Sequence, residues 1–217
     1  MFSNNVSLDD LSNEDRRYFE KNKIRCFKQG KLEQPLIHSF DDPRLSPVLH
    51  QALKRAGYVT PTPIQAISIS TILDQQDFVG KVFFYFWKVI FLNLYFTNFL
   101  FLGVSKTGSG KTLAFLVPII KKLQDMAHLI VNQEGPMRPY CLILTPTREL
   151  AQQIQQVIVD LGILKSVCLY GGQSDKIAQI NALRQQRPPI IVGCPGRVAD
   201  LMRDMAVNFS TLRYLGK

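Results

Sequence analysis

The chain has 217 residues, of which 46% are hydrophobic and 20% are charged. This composition excludes wholesale disorder, and the length allows one large domain, or two small ones, with a core that needs no disulfides. Residues 1–44 are neutral, so the net charge of +9 lies entirely in residues 45–217. The excess favours an anionic partner, either nucleic acid or a phosphate-rich ligand, but scattered surface lysines that aid solubility give the same balance.

The cysteines and the N-terminus indicate the compartment. Cys26, Cys141, Cys168 and Cys194 form no CxxC pair, and the chain has only three histidines. This argues against a zinc site or a disulfide framework and favours a reducing compartment. The first ten residues have neither the basic start nor the apolar centre of a signal peptide, so we expect a protein that is not secreted.

The first predicted elements are helical. Residues 11–21 suggest a short helix, and the stretch around 28–35 suggests a connector. Residues 46–58 predict a second helix, with Leu49, Leu53 and Ala56 on one face and Gly57 at its C-cap. Thr62 and Pro63 are typical of an N-cap and a first helical residue, and they predict a third helix that runs to about Leu73.

From Gly103 onward, strands and helices alternate. The pattern predicts helices over 111–126, 149–161, 176–183 and 197–205, and strands over 141–144, 166–169 and 190–192. The apolar stripe of the second of these helices is predicted to comprise Leu150, Ile154, Val157, Ile158 and Leu161. Such alternation predicts an α/β fold with a mostly parallel sheet and helices on both faces.

The sequence S-K-T-G-S-G-K-T, residues 105–112, carries the strongest chemical signal. Its glycines let backbone N–H groups converge on phosphate oxygens, and the following helix adds its N-terminal dipole. Lys111 can then reach the β- and γ-phosphates of a nucleotide, and Thr112 can coordinate Mg²⁺. The strict P-loop pattern has Gly where Ser105 stands, so a plain Gly/Ser linker is the alternative interpretation.

An ordered set of motifs, from about Phe40 to Leu215, resembles the DEAD-box RNA helicases. The matching sequences are G-Y-V-T-P-T-P-I-Q at 57–65 (Q motif, with Phe40 as its upstream aromatic), residues 105–112 (motif I), P-T-R-E-L-A at 146–151 (motif Ia), Gly171-Gly172 (GG element) and C-P-G-R at 194–197 (TPGR motif). Ser105 stands in place of the usual Ala, and Cys194 in place of Thr.

The resemblance implies a RecA-like P-loop domain that uses ATP and Mg²⁺. Its ATP-binding residues would be Phe40, Tyr58, Gln65, Ser105, Lys106, Thr107, Gly108, Ser109, Gly110, Lys111 and Thr112. Of these, Lys111 and Thr112 would be catalytic, and Thr112 would hold Mg²⁺. A Gln amide can pair with adenine N6 and N7, and Phe40 could stack on the base. Without the P-loop nearby, Gln65 would read as a helix-surface residue and Phe40 as a core residue.

The resemblance also implies sequence-independent contacts to an RNA backbone. The residues concerned are Pro146, Thr147, Arg148, Gly172, Pro195, Gly196 and Arg197. Arginines, hydroxyls, bare glycine amides and helix N-termini suit phosphate and 2′-OH groups, which carry no sequence information. Two plainer interpretations stay open: P-T-R-E-L as an ordinary helix start capped by Thr147, and Arg197 as a solvated arginine.

Residues 81–102 depart from the family pattern. They hold ten of the 22 aromatic residues of the chain, and removing 81–103 would leave an uninterrupted family sequence. Because the set of motifs begins at about Phe40, residues 1–39 are interpreted as an N-terminal extension. Residues 40–217 are interpreted as a partial RecA-like domain with an apolar insertion at 81–102. Lys88, Asn93 and Asn98 interrupt the segment and argue against a membrane helix. We expect residues 99–104 to replace residues 77–80 as the strand that enters the P-loop, with the remainder forming a hairpin or helix.

A retained intron is an alternative origin for this segment. The dipeptide Gly-Lys occurs at 80–81, where the segment begins, and again at 216–217. The codons GGT-AAG encode this dipeptide and contain GTAAG, which resembles a splice donor site. Genomic DNA without GT and AG at the junctions would exclude this origin.

No D-E-A-D sequence occurs in the chain. The fold is therefore expected to be incomplete at the C-terminus, and the chain to bind ATP and RNA without turnover by itself. The alternatives are a non-catalytic fragment that competes with a helicase, another P-loop phosphotransferase, and an unstable product without function. A loose resemblance of the first residues to splicing-associated members suggests a nuclear ribonucleoprotein or spliceosomal context, with the cytoplasm as the second choice and a membrane partner disfavoured.

Overall fold

The computed structural model describes residues 12–21, 27–28, 35–73, 78–80, 101–103, 110–126, 138–172 and 176–216. In chain order the elements are α1 (Asn13–Lys21), β1 (Phe27–Lys28), α2 (Pro47–Arg55), α3 (Pro63–Leu73), β2 (Phe78–Gly80), β3 (Phe101–Gly103), α4 (Lys111–Asp125), β4 (Cys141–Leu144), α5 (Arg148–Leu161), β5 (Ser166–Leu169), α6 (Lys176–Gln186), β6 (Ile190–Gly193), α7 (Pro195–Arg203) and β7 (Tyr214–Gly216). They fall into two compact units, one within Met1–Asp42 and Thr60–Pro118, the second within Pro43–Val59 and Ile119–Lys217.

The second unit contains a four-stranded parallel sheet in the order β5-β6-β4-β7. Helices α6 and α7 pack on the same face of this sheet, and the right-handed rule for parallel crossovers predicts α5 on the opposite face. A core cluster on the α6 and α7 side comprises Leu142, Val167, Leu169, Leu183, Ile191, Val198, Leu201 and Val207. The α/β class with a parallel sheet is therefore confirmed.

The first unit contains a three-stranded sheet in the order β1-β3-β2. Strand β2 pairs in parallel with β3, with Phe78 opposite Phe101, and β1 pairs antiparallel with β3. The prediction that residues 99–104 replace residues 77–80 is right in part: Phe101–Gly103 forms a strand just before the P-loop motif, but Phe78–Gly80 also forms a strand and pairs with it. Both are short and apolar and end in glycine, so each can satisfy the backbone groups of the other. The hairpin or helix predicted for the rest of the insertion falls on residues 81–100, outside the described ranges.

Helix α1 is tied to the chain that precedes Phe40. Asp15 is buried, accepts a hydrogen bond from the Ser12 hydroxyl at 2.8 Å and pairs with Nε2 of His38 at 3.0 Å. The ring of Tyr18 meets His38 edge to face at 4.7 Å between centroids. The helix predicted over 11–21 is thus confirmed over Asn13–Lys21, whereas the boundary predicted between residues 39 and 40 stays a prediction.

The sequence predicted most helices and strands of the described chain within a few residues. Helix α2 ends at Arg55, three residues before the predicted end, because Gly57 adopts a φ of +83° and lets Tyr58 N–H and Gly57 N–H bond back to Leu53 and Lys54. Helix α7 begins at Pro195, two residues earlier than predicted, since proline fits the first helical turn.

The predicted stripe of α5 needs one correction. Leu150 is 37% exposed, whereas Ala151, Ile154, Ile158 and Leu161 are buried. The spacing of the buried set follows one face of a 3.6-residue helix, and Leu150 lies beside that face.

None of the helices in the described ranges is long and apolar enough to cross a membrane.

Candidate functional site

The N-terminus of α4 carries the described part of the predicted phosphate site. Gly110 has a φ of +84°, and the half-buried Lys111 and Thr112 open the helix. The first-turn N–H groups of a helix and its dipole favour phosphate oxygens. Ser105, Lys106, Thr107, Gly108 and Ser109 lie outside the described residues.

The side chain of Gln65 joins the start of α3 to the start of α4. Its Oε1 accepts a hydrogen bond from Thr62 N–H at 2.8 Å, and its Nε2 donates to the carbonyl oxygen of Gly110 at 3.0 Å. The Thr62 bond is half of a capping box, since Gln65 is the third residue of α3. A carboxamide has two donor hydrogens and two acceptor lone pairs, so each end keeps the capacity for one bond to adenine.

Gly110 is required by this close approach as well as by its backbone angle. A Cβ at position 110 would overlap Nε2 of Gln65 and lie 3.3 Å from Oγ1 of Thr62. Any other residue would therefore push Gln65 out of its position.

The two aromatic residues predicted to bind ATP have different surroundings. Phe40 belongs to the first unit and is 2% exposed, which is the burial of a core aromatic. Tyr58 belongs to the second unit and is half-buried, with its backbone N–H on the carbonyl oxygen of Leu53. Their roles in ATP binding stay predictions.

The residues at the start of α4 fit a nucleotide phosphate and offer one ligand for its Mg²⁺. Lys111 supplies a cation and Thr112 a hydroxyl, and Mg²⁺ commonly takes only one or two protein ligands beside phosphates and water. Within the described ranges, no group of three His, Cys, Asp or Glu residues is placed to hold a metal ion.

The predicted RNA-binding residues meet at one edge of the four-stranded sheet. Residues 146–148 follow β4, Gly172 follows β5 and residues 195–197 follow β6. Because these three strands are parallel, all three loops lie at their carboxyl ends, where α/β sheets commonly bind ligands. Pro146, Thr147, Arg148, Gly172 and Gly196 are exposed, and Pro195 and Arg197 are half-buried.

Thr147 and Arg148 open α5. The Thr147 hydroxyl caps the helix by accepting from Leu150 N–H at 3.3 Å, so the helix-start interpretation holds here. The Arg148 guanidinium donates to Glu149 at 2.6 Å; this hydrogen bond raises the pKa of Arg148 and lowers that of Glu149. Both side chains are exposed, so the pair adds little stability.

The loop that opens α7 is tied to its neighbours. Cys194 is the N-cap but makes no side-chain cap bond, and its own N–H donates to Leu169 O at 2.7 Å. Its Sγ lies 4.0 Å from Oγ1 of Thr145, at the end of β4. The first-turn amides of Gly196 and Arg197 therefore receive no side-chain cap from Cys194, and such amides suit a phosphate oxygen.

Two further residues position the loops, and sequence reasoning missed both. Gln179 donates from Nε2 to the carbonyl oxygen of Tyr170 at 3.1 Å and accepts at Oε1 from Arg197 at 3.1 Å. The Tyr170 hydroxyl accepts from Gln152 at 3.0 Å. Tyr170 could have been found from its place directly before Gly171-Gly172, but no sequence signal indicates Gln179.

Residues 62–215, more than half of the chain, match the sequence family described as DEAD/DEAH box helicase. The chain belongs to this family. It is 31% identical over 96% of its length to the DEAD-box ATP-dependent RNA helicase 21 of Oryza sativa subsp. japonica. It is 30% identical over 96% of its length to the pre-mRNA-splicing ATP-dependent RNA helicase PRP28 of Pyricularia oryzae.

A solved structure of the same family agrees with the fold. The crystal structure of a DEAD box protein from the hyperthermophile Methanococcus jannaschii is 29% identical, with a TM-score of 0.61. The match covers 83% of this chain and 41% of that protein. The chain spans 25% of the rice relative and 27% of the fungal one.

Proposed function

We propose that this chain supplies the ATP-binding and RNA-backbone-binding RecA-like domain of an ATP-dependent RNA helicase. The observation that carries the proposal is the meeting of three exposed loops at the carboxyl edge of the parallel sheet. Each loop holds residues that match an RNA-binding motif of the family, at Arg148, Gly172 and Arg197. The Gln65–Gly110 bond supports the ATP half of the proposal.

Each described ATP-site residue has one task. The amides at the start of α4, with Lys111, hold and neutralise the nucleotide phosphates, and Thr112 offers its hydroxyl to Mg²⁺. Gln65 uses its remaining donor and acceptor on the edge of adenine, which selects ATP over GTP. When bound, Mg²⁺ neutralises charge that develops on the transferred phosphoryl group.

The RNA residues act by position and charge. Arg148 and Arg197 meet phosphates, while Gly172 and the first-turn amides of α5 and α7 donate backbone N–H groups. None of these groups reads a base edge, so binding through them is independent of sequence.

Tested by themselves, these 217 residues are expected to bind without turnover. They contain no D-E-A-D sequence, the acidic motif that orients metal and water in the family they resemble. A chain that occupies RNA without hydrolysing ATP would compete with an active helicase. RNA-stimulated ATPase above background, lost in Lys111→Ala, would contradict this expectation.

Fluorescence anisotropy tests the two binding activities separately. Lys111→Ala should abolish binding of a fluorescent ATP analogue and leave binding of a single-stranded RNA dodecamer intact. Arg197→Ala should do the reverse, weakening RNA binding by about tenfold. Arg203→Ala, an exposed arginine six residues further along the chain, is the matched control and should change neither. Absence of RNA binding by the folded chain would overturn the proposal.

The cellular context is also a proposal. One relative is named as a pre-mRNA-splicing helicase, so a nuclear ribonucleoprotein is the expected partner and the nucleus the expected location. Imaging of a fluorescent fusion of the chain, with and without RNase treatment of permeabilised cells, tests both. A uniformly cytoplasmic signal would contradict them.

A further inference from the structure

A shallow depression of about 270 Å³, largely open to solvent and hereafter called the cavity, lies along strand β5, between α5 and α6. Helix α5 contributes Gln152 and Gln155, and α6 contributes Ala178, Gln179 and Gln186. Strand β5 is the edge strand of the four-stranded sheet as described. The cavity therefore opens at the border of the sheet rather than inside its core.

The walls of this cavity are neutral and rich in carboxamides. Four glutamines line it, together with Cys168, Tyr170 and small apolar side chains. Burial raises the pKa of the Cys168 thiol to about 11, so this group is also uncharged at neutral pH. A wall without charge does not suit a phosphate or a metal ion. It suits a planar, neutral ligand that both donates and accepts hydrogen bonds.

The cavity adjoins the loops proposed to hold RNA phosphates. Tyr170 lines it and lies two residues before Gly172. Gln179 also lines it, and its Oε1 accepts a hydrogen bond from Arg197 at 3.1 Å. A nucleotide whose phosphate met Gly172 or Arg197 would thus have the cavity within reach of its base.

Tyr170 is held in place as one wall of the cavity. Its hydroxyl accepts a hydrogen bond from Gln152 at 3.0 Å, and its carbonyl oxygen accepts one from Gln179. A fixed aromatic ring offers a stacking surface, and stacking tolerates any base. Gln152 and Gln155 each donate one hydrogen bond within the protein, so each keeps a second N–H for the edge of a base.

We propose that this cavity takes one unpaired base from an RNA strand whose phosphates lie on Gly172 and Arg197. The inference rests on the proposed RNA-binding function and adds a base contact to it. An extended peptide is the other ligand that carboxamides and a strand edge could hold. The neighbouring phosphate-binding loops favour RNA.

An abasic scan measures the contact directly. A set of single-stranded RNA dodecamers, each lacking one base, is titrated against the full chain by fluorescence anisotropy. Removing the base that occupies the cavity should weaken binding by about tenfold, while removal at other positions has little effect. 4-Thiouridine at the sensitive position should crosslink to Tyr170 or to its neighbours in the cavity.

A bulky side chain introduced at an exposed residue should fill the cavity. RNA affinity should then no longer depend on which base is removed. Ala178 is exposed and lines the cavity, so Ala178→Phe fills it without disturbing the core. Ala199→Phe, at an exposed alanine of α7 outside the cavity lining, is the matched control and should keep the sensitive position.

Four outcomes would overturn the inference. Equal affinity for every abasic RNA would exclude the base contact and leave the proposed function intact. A sensitive position that persists in Ala178→Phe, or crosslinks that map only outside the cavity, would place the sensitive base elsewhere on the protein. RNA that fails to bind at all would overturn the proposed function as well.

Discussion

Gln65 donates a hydrogen bond from its carboxamide nitrogen to the carbonyl oxygen of Gly110 at 3.0 Å, across 45 positions of sequence. One side chain therefore contacts both the cap of α3, through Thr62, and the turn that opens α4. A change in the turn at Gly110 must move Gln65, and a ligand that draws Gln65 away must release that turn. Adenine selection and phosphate binding are expected to be coupled for this reason.

Replacing Gln65 by Glu keeps one of its two hydrogen bonds and removes the other. The carboxylate can still accept from Thr62 N–H, but it cannot donate to Gly110, and its charge faces a carbonyl oxygen in a residue that is 3% exposed. We expect a loss of about 2 kcal/mol in the free energy of unfolding at pH 8, with loss of ATP binding. Urea denaturation and fluorescent-ATP titration measure the two effects.

The pH dependence of that variant provides its internal check. Burial raises the pKa of the introduced carboxyl, so stability should recover as pH falls toward 5 and the group becomes neutral. Gln65→Ala has no titrating group and should show no recovery relative to the native chain. Equal stability of Gln65→Glu at pH 5 and pH 8 would exclude a direct clash with Gly110.

Gly110→Ala tests the close approach separately from the backbone angle. Both Gly110 and Gly162 have positive φ, +84° and +64°, but a Cβ at 162 would meet only Val159 O at 3.8 Å. Gly162→Ala should therefore cost about 1 kcal/mol, the usual penalty of that backbone region. Gly110→Ala should cost clearly more and weaken ATP binding, because it displaces Gln65. Equal thermal shifts for the two variants would show that Gln65 yields without cost.

The sequence alone predicted those elements whose signal lies within a few consecutive residues. Strands β4 and β5 coincide with their apolar runs, and the Thr62-Pro63 start of α3 follows from capping chemistry. Gln65 was found from its motif, but its bond to Gly110 could not be, because the partner is distant in sequence. Gln179 was missed for the same reason.

Short or repeated patterns were the other source of error. Strands β1 and β7 have only two and three residues, too few for an alternating pattern to indicate a strand. Strands β2 and β3 carry similar apolar triplets, F-V-G and F-L-G, so the sequence did not indicate whether one replaces the other or both pair. The place of Phe40 in the sequence does not indicate whether its ring stacks on adenine or packs in the core.

Releasing Arg148 from Glu149 should strengthen RNA binding. The guanidinium donates to the neighbouring carboxylate at 2.6 Å, so that carboxylate competes with an RNA phosphate. Glu149→Gln should raise affinity for single-stranded RNA by about two- to fivefold at low salt, and by less as salt rises. Arg148→Ala should lower affinity and reduce the slope of log K against log salt by about 1.

Arg203→Ala is again the control for this pair, since Arg203 bonds an acid on its own helix, Asp200, but matches no RNA motif. Its salt slope should equal that of the native chain. An Arg148→Ala slope unchanged from the native value would remove Arg148 from the RNA contacts.

The buried thiols should make the fold sensitive to alkali. Burial raises the pKa of Cys141 from 9.0 to about 12 and that of Cys168 to about 11. A thiol whose pKa is higher in the folded state stabilises that state below the unfolded pKa. This stabilisation is lost as pH rises through the folded value. The free energy of unfolding should therefore fall between about pH 9 and pH 12.

A serine substitution distinguishes the Cys168 thiol from other alkaline groups, because a serine hydroxyl does not titrate in this range. Cys168→Ser should flatten part of the decline between pH 9 and pH 11. Mass spectrometry after brief iodoacetamide treatment at pH 8 should find Cys194 modified well before Cys168 and Cys141, since only accessible thiolate reacts. Labelling of Cys141 at the rate of Cys194 would mean that strand β4 opens in the native state, and the alkaline decline would then reflect local opening rather than thiol ionisation.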